Sequence, residues 1–203
     1  IGESVFDNCK NLESVEIPKS VTAINYRAFA NCGKLNSIML PDNLTYIGGW
    51  AFEKCGGLTD IIIPDSVVTI DKYAFTECNG LTKMIVPAGV KLQYEAPNLH
   101  GSIFYKCKGL KEVTLYNDRI TPSMFYYCDA LETVNIKGEV GIIGSYAFNA
   151  CKQLKKINLP ESVSEIGTGA FTGCLSLEEM IIPDNVTVIK QWCFRQCSGL
   201  KAI

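Results

Sequence analysis

The sequence predicts a strand-rich solenoid of the α/β class. About nine 23-residue repeats stack with a parallel β-sheet on the concave face and turns and short helical turns on the convex side. Three columns of residues predict it. Every phenylalanine of the 203-residue chain falls at one position of the repeat: Phe6, Phe29, Phe52, Phe75, Phe104, Phe125, Phe148, Phe171 and Phe194. Each is followed three residues later by a cysteine (Cys9, Cys32, Cys55, Cys78, Cys107, Cys128, Cys151, Cys174, Cys197). Three further on stands a leucine (Leu12, Leu35, Leu58, Leu81, Leu110, Leu131, Leu154, Leu177, Leu200). The period is 23 residues, apart from 29 between Cys78 and Cys107 and 21 between Cys107 and Cys128. Self-similarity at this spacing is the signature of stacked repeats.

Each unit reads Phe-x-x-Cys-x-x-Leu-x-x-Ile-x-Ile-Pro-Asp-Ser-Val-x-x-Ile-Gly-x-x-Ala. In Leu58–Ile63 the apolar alternation suits a strand with one buried face. Pro64 has no N–H for a ladder, so the strand ends there, as it does at Pro18, Pro41, Pro87, Pro160 and Pro183. Asp65-Ser66, Asp42-Asn43 and Glu161-Ser162 then favour a turn. A buried pair follows, as in Val67 with Ile70 or Val163 with Ile166. The next position holds Gly2, Asn25, Gly48, Asp71, Gly144, Gly167 and Lys190, and predicts a left-handed residue where the chain turns again. The Ala-Phe-x-x-Cys segment is too short for a free-standing helix and predicts a single helical turn. One such unit cannot bury its own apolar stripe, so neighbours must stack. At about 4.8 Å per step the array runs roughly 40 Å as one elongated domain over residues 1–203, with irregular repeats at 88–140.

These signatures resemble the BspA-type leucine-rich repeat, with its Ala-Phe-x-x-Cys-x-x-Leu and Ile-x-Ile-Pro motifs. Ala-Phe stands at Ala28-Phe29, Ala51-Phe52, Ala74-Phe75, Ala147-Phe148 and Ala170-Phe171. Val5, Ile103, Met124 and Cys193 replace the alanine elsewhere, and Tyr116 and Lys137 replace the proline. The resemblance covers essentially the whole chain and implies a leucine-rich-repeat solenoid acting as a surface-exposed or secreted interaction module. Some members of that family are adhesins for host extracellular proteins. The chain opens partway through a unit, Ile1 corresponding to Ile24, and closes at Ile203, corresponding to Ile157. Neither end carries the polar cap that solenoids use, so the expectation is a segment of a longer array or ends covered by partners.

Composition narrows the function classes. The formal charge is −2 and charges of both signs interleave, against the basic stripe that nucleic acid or an anionic membrane surface requires. No apolar run reaches the ~20 residues of a membrane span. The ten cysteines contain no Cys-x-x-Cys pair, so no metal site is expected. They are expected to form a ladder of buried free thiols. Neighbouring rungs lie within disulfide reach, whereas parallel Cβ directions oppose bridging. His100, the single histidine, lies inside the six-residue expansion and reads as a solvated loop residue. No catalytic group and no cofactor site is expected, and the chain reads as a binding scaffold rather than an enzyme. Asn43-Leu44-Thr45 and Asn185-Val186-Thr187 match the glycosylation acceptor pattern, which matters only in a eukaryotic secretory setting.

The outward strand positions carry the candidate site. The fifth-position column runs Glu16, Met39, Ile62, Ile85, Thr114, Asn135, Asn158 and Ile181. Met39, Ile62 and Ile85 set large apolar groups side by side toward solvent, with Ser37, Asp60 and Lys83 at the third position. The chain then enters the irregular stretch 88–102, which contains Leu92, Tyr94 and Leu99. Met39, Ile62, Ile85, Asp60, Lys83 and Tyr94 are therefore the candidate protein-binding residues. In the alternative, the inserted stretch folds over the strip as satellite core. A second column, Trp50, Tyr73, Tyr146 and Trp192, is expected half-buried on the convex side, with binding as its alternative.

Overall fold

A stack of phenylalanine rings runs the length of the molecule in a computed structural model that describes residues 1–93 and 102–203. All nine rings take part. Adjacent ring centres lie 5.1–5.7 Å apart, with planes within 15° of parallel. At that separation parallel rings are offset, the arrangement that keeps one ring's negative face away from the next. Phe29 through Phe171 are fully buried, and the leucine column joins them in one continuous core. Residues 94–101, which include Tyr94, Leu99 and His100, lie outside the described residues.

Two parallel ladders flank the core. In chain order the strands are β1 (Ser14–Glu16), β2 (Ala23–Ile24), β3 (Ser37–Met39), β4 (Tyr46–Ile47), β5 (Thr69–Ile70) and β6 (Lys83–Val86). Then follow β7 (Lys91–Leu92), β8 (Glu112–Leu115), β9 (Thr133–Ile136), β10 (Ile142–Ile143), β11 (Glu165–Ile166) and β12 (Val188–Ile189). The concave face pairs β1 with β3, and β8 with both β6 and β9. The second ladder, built from the Val-x-x-Ile segments, pairs β2-β4-β5-β7 and β10-β11-β12, with a further bridge from Ile120 to Ile143. Register is one repeat throughout, as in Val15↔Ile38 and Ile47↔Ile70. Leu58–Ile63 has the burial pattern of a strand, with Ile61 and Ile63 buried and Ile62 exposed, yet it joins no ladder. Side-chain burial and backbone pairing are separable here: the core fixes the first, the backbone spacing the second.

The single helical turn expected at Ala-Phe-x-x-Cys is replaced by a run of tight turns, and no helix occurs among the described residues. In the second repeat Ala28, Ala30 and Cys32 donate their N–H groups three residues back, to Asn25, Arg27 and Phe29. Arg27, Phe29 and Asn31 instead donate across to Gly49, Ala51 and Glu53 of the next repeat, at 2.7–3.0 Å. A helical turn would keep those donors to itself; this alternation uses every second one to stitch repeats together.

Left-handed residues make the alternation possible, and they stand two residues beyond the expected position. Positive φ occurs at Arg27, Trp50, Tyr73, Tyr146, Gly169 and Trp192, and again four residues on, for example at Asn31, Lys54 and Glu77. Gly2, Asn25, Gly48, Asp71, Gly144, Gly167 and Lys190 are not among them. Each non-glycine residue so placed costs on the order of 1 kcal/mol, offset by the inter-repeat hydrogen bonds it permits. Gly48 has a different purpose. A Cβ there would sit 2.7 Å from the Asn25 carbonyl carbon and the Tyr26 nitrogen, so glycine lets successive backbones close up.

All ten cysteines are free thiols. Eight of them, Cys32, Cys55, Cys78, Cys107, Cys128, Cys151, Cys174 and Cys197, donate S–H to the carbonyl of the phenylalanine one repeat earlier, at 2.9–3.3 Å. The same carbonyl accepts the N–H of its own repeat's cysteine, as in Cys32 to Phe29, so both of its lone pairs are used. Alanine or valine would fill the space and leave one lone pair unmet. Burial pushes these thiols up: Cys32 to about 11 and Cys107 to about 12. Native protein at neutral pH is expected to expose Cys9, and Cys197 more slowly, to a thiol reagent, whereas denatured protein yields all ten. More than three or four fast-reacting thiols in native protein would contradict the ladder.

Candidate concave binding face

The concave column places Met39, Ile62 and Ile85 on consecutive rungs with 82%, 84% and 57% of their surface exposed. They are exposed because strand alternation turns their neighbours inward: Ile61, Ile63, Met84 and Val86 are buried. Glu16 pairs in register with Met39 at one end of the strip, and Thr114 with Ile85 at the other. A groove of about 840 Å³ runs along it, lined by Asp42, Asp60, Ile62, Lys83, Ile85 and Tyr116 among others. Five of the six residues singled out from sequence lie on this face, four of them in the groove lining with Met39 one rung away. Tyr94 is the sixth and lies outside the described residues.

Tyr116 is a groove residue that sequence reasoning passed over, and it is 49% exposed. Its signal was present, an aromatic where the repeat has proline. Charge on the face is arranged in rungs. Lys83 pairs in register with Glu112 and their side chains meet at 3.2 Å. Asp42, Asp60 and Asp65 are exposed and without a partner among the described residues. A second hollow, about 510 Å³, lies on the other ladder between Asp118, Arg119, Glu139, Ile142 and Glu165. Lys190 already occupies Glu165 at 2.6 Å.

On the convex side Trp50 stacks on Tyr73 at 4.6 Å, Tyr26 meets it edge-on at 5.5 Å, and the Lys72 ammonium lies 5.6 Å from its ring centre. Trp50, Tyr73 and Tyr146 are half-buried, and Trp192 is exposed. Nearby, Arg27 bridges three repeats through Asp7 at 3.1 Å and Glu53 at 2.8 Å. Burial draws the Asp7 carboxyl upward, but hydrogen bonds from Asn31 and Arg27 outweigh it and hold the group below its ordinary value. Such a bridge ties rungs together and leaves little free charge for a ligand. Among the described residues no cluster of three His, Cys, Asp or Glu side chains could hold a metal ion. Nor is any helix there long and apolar enough to cross a membrane.

Known proteins resemble the chain along its whole length. The model of the BspA type leucine rich repeat region matches six copies over residues 1–117 and 88–201. A leucine-rich repeat protein from Bacteroides ovatus is 30% identical, with a TM-score of 0.71 over 100% of this chain and 63% of that one. The T. pallidum leucine rich repeat protein is also 30% identical, with a TM-score of 0.66 over 76% of this chain and 70% of that one. A leucine-rich repeat protein from Eubacterium ventriosum, 20% identical over 100% of this chain and 75% of its own, shares the fold at a TM-score of 0.60. No curated protein matches. The repeat columns, the ladders and these likenesses agree: the chain belongs to the BspA-type leucine-rich-repeat family.

Proposed function

We propose that the chain is a protein-binding module of a bacterial surface or secreted protein, and that it binds through the concave face at Met39, Ile62 and Ile85. The observation that carries this reading is the contiguous exposure of three large apolar side chains on adjacent rungs. The core is packed by their neighbours instead, half-buried Ile38 with buried Leu40, Ile61, Ile63, Met84 and Val86. An apolar strip with a polar border is the usual anatomy of an interface core and its rim. A broad, open face suits a protein surface better than a small reacting molecule, which is commonly held in an enclosed pocket. Membership of a bacterial leucine-rich-repeat family supports the same class of function and makes a host extracellular protein the first partner to try.

The test is binding to immobilised extracellular-matrix and plasma proteins. The comparison is a Met39→Asp/Ile62→Asp/Ile85→Asp variant whose melting temperature stays close to that of the parent. Saturable binding weakened by about 100-fold or more in the variant is the expected result, the size typical of losing a central apolar cluster. Binding that the variant retains would place the site elsewhere. A second reading, a structural spacer, draws on the polar run of the column that follows the strip, Thr114, Asn135 and Asn158, and on the chain spanning 63% of its Bacteroides ovatus relative. It predicts that neither protein binds.

A further inference from the structure

We propose that the concave strip takes a cationic partner: a protein segment whose apolar side chains cover Met39, Ile62 and Ile85 while lysines or arginines beside them meet carboxylates on both borders. This rests on the strip being the binding face and specifies the chemistry of what binds. Asp60, two residues before Ile62, lies along one border of the strip. Asp42 and Asp65, each three residues after Met39 and Ile62, lie along the other, and all three line the groove. Glu16 stands beneath Met39 in register and closes the end. These four carboxylates are exposed and have no partner among the described residues.

Positive charge at the strip is scarce. Lys83 is the one lysine in the groove lining, and Glu112 holds it at 3.2 Å. Lys19 stands one rung below Asp42, outside that lining. The chain as a whole is nearly neutral at −2, so this imbalance is local. Elsewhere on the molecule carboxylates are commonly paired across rungs, as in Lys156–Glu179 at 3.0 Å and Lys201–Glu178 at 3.1 Å. Unpaired carboxylates gathered around an apolar strip attract a cationic surface and repel an anionic one. Such a border sets partner choice and encounter rate more than it sets tightness.

The experiment measures binding of three short synthetic peptides, in which leucine alternates with lysine, glutamate or serine, to the full chain. Three variants are compared: Asp42→Asn/Asp60→Asn/Asp65→Asn, the distant control Asp118→Asn/Glu139→Gln, and the charge-neutral Met39→Ser/Ile62→Ser/Ile85→Ser. The lysine peptide is expected to bind the parent about tenfold more tightly than the glutamate peptide at about 0.05 M salt, an advantage that shrinks at about 0.5 M as screening sets in. The asparagine variant should lose most of that advantage, the distant control should keep it, and the serine variant should weaken all three peptides. A lysine preference that is absent, or that survives in the asparagine variant, overturns the cationic partner and leaves the strip standing if the serine variant still weakens binding. Peptides that bind the serine variant as well as the parent overturn the strip itself. No detectable binding of the lysine peptide also overturns the proposal.

Discussion

Phe125→Ala is expected to lower the stability of the folded chain by about 3–5 kcal/mol, the range for emptying a fully buried phenylalanine site. Phe125 has no exposed surface and lies between Phe104 and Phe148, whose ring centres are 5.5 and 5.4 Å away. Backbone bonds on either side hold the rungs apart, so the space left by the ring cannot close. Phe6→Ala gives the comparison. That ring is partly exposed and touches one neighbour, Phe29 at 5.1 Å, so its loss should cost roughly half as much. Urea unfolding of both variants against the parent measures the difference in midpoint at constant slope. Equal losses at the two positions would mean that stability does not come from ring-on-ring burial. It would also contradict the nearest-neighbour energetics of a solenoid.

The second large effect is alkaline unfolding. Burial raises the thiols of Cys55, Cys78, Cys107, Cys128, Cys151 and Cys174, all without exposed surface, above their ordinary value of 9.0, Cys107 to about 12. An unfolded chain releases these protons from about pH 9 upward, whereas the folded chain keeps them. The stability they contribute is therefore whole below pH 9 and falls as pH rises. Every thiol that stays protonated in the folded chain adds to this loss, so the six together remove several kcal/mol by a pH unit or so above that point. That is comparable with the whole stability of many domains. Far-UV circular dichroism under reducing conditions should show cooperative unfolding between about pH 9 and 11. Cys128→Ala, which has one proton fewer to hold, should show a shallower dependence on pH. A urea midpoint unchanged from pH 8 to 10.5 in the parent would refute the assignment.

What could be read from the sequence was whatever recurs as a side-chain type at fixed spacing. The Phe, Cys and Leu columns placed the core because burial selects residue type, and the alternation around Ile62 identified which side chains face solvent. Backbone conformation left a fainter mark. Arg27, Trp50, Tyr73 and Trp192 share a left-handed geometry with no glycine or asparagine to announce it, so the turn was placed two residues early, at glycines that serve close approach instead. The second ladder was missed because two-residue strands such as Tyr46–Ile47 are too short to show alternation. The thiol-to-carbonyl bond had a usable clue, the unbroken choice of cysteine where any small apolar residue would fill the volume. On the candidate site, Met39, Ile62 and Ile85 were legible from their column. Tyr116 came in only through the fold of a shortened repeat.

The interruptions of the two ladders are staggered like the joints of a brick wall. Where the concave ladder lapses at Leu58–Ile63, the second ladder runs unbroken through β4, β5 and β7. Where the second lapses between Leu92 and Ile120, the concave one carries through β6, β8 and β9. Past β9, β10 to β12 take over again. Among the described residues no course is crossed by a single seam, and with the turn bonds of the phenylalanine segments beside them the ladders hand a pull along the axis from one to the other before it finds a place to tear. For a molecule held at one end and tugged at the other, that bond pattern provides tensile strength where each ladder alone would part at its first missing rung.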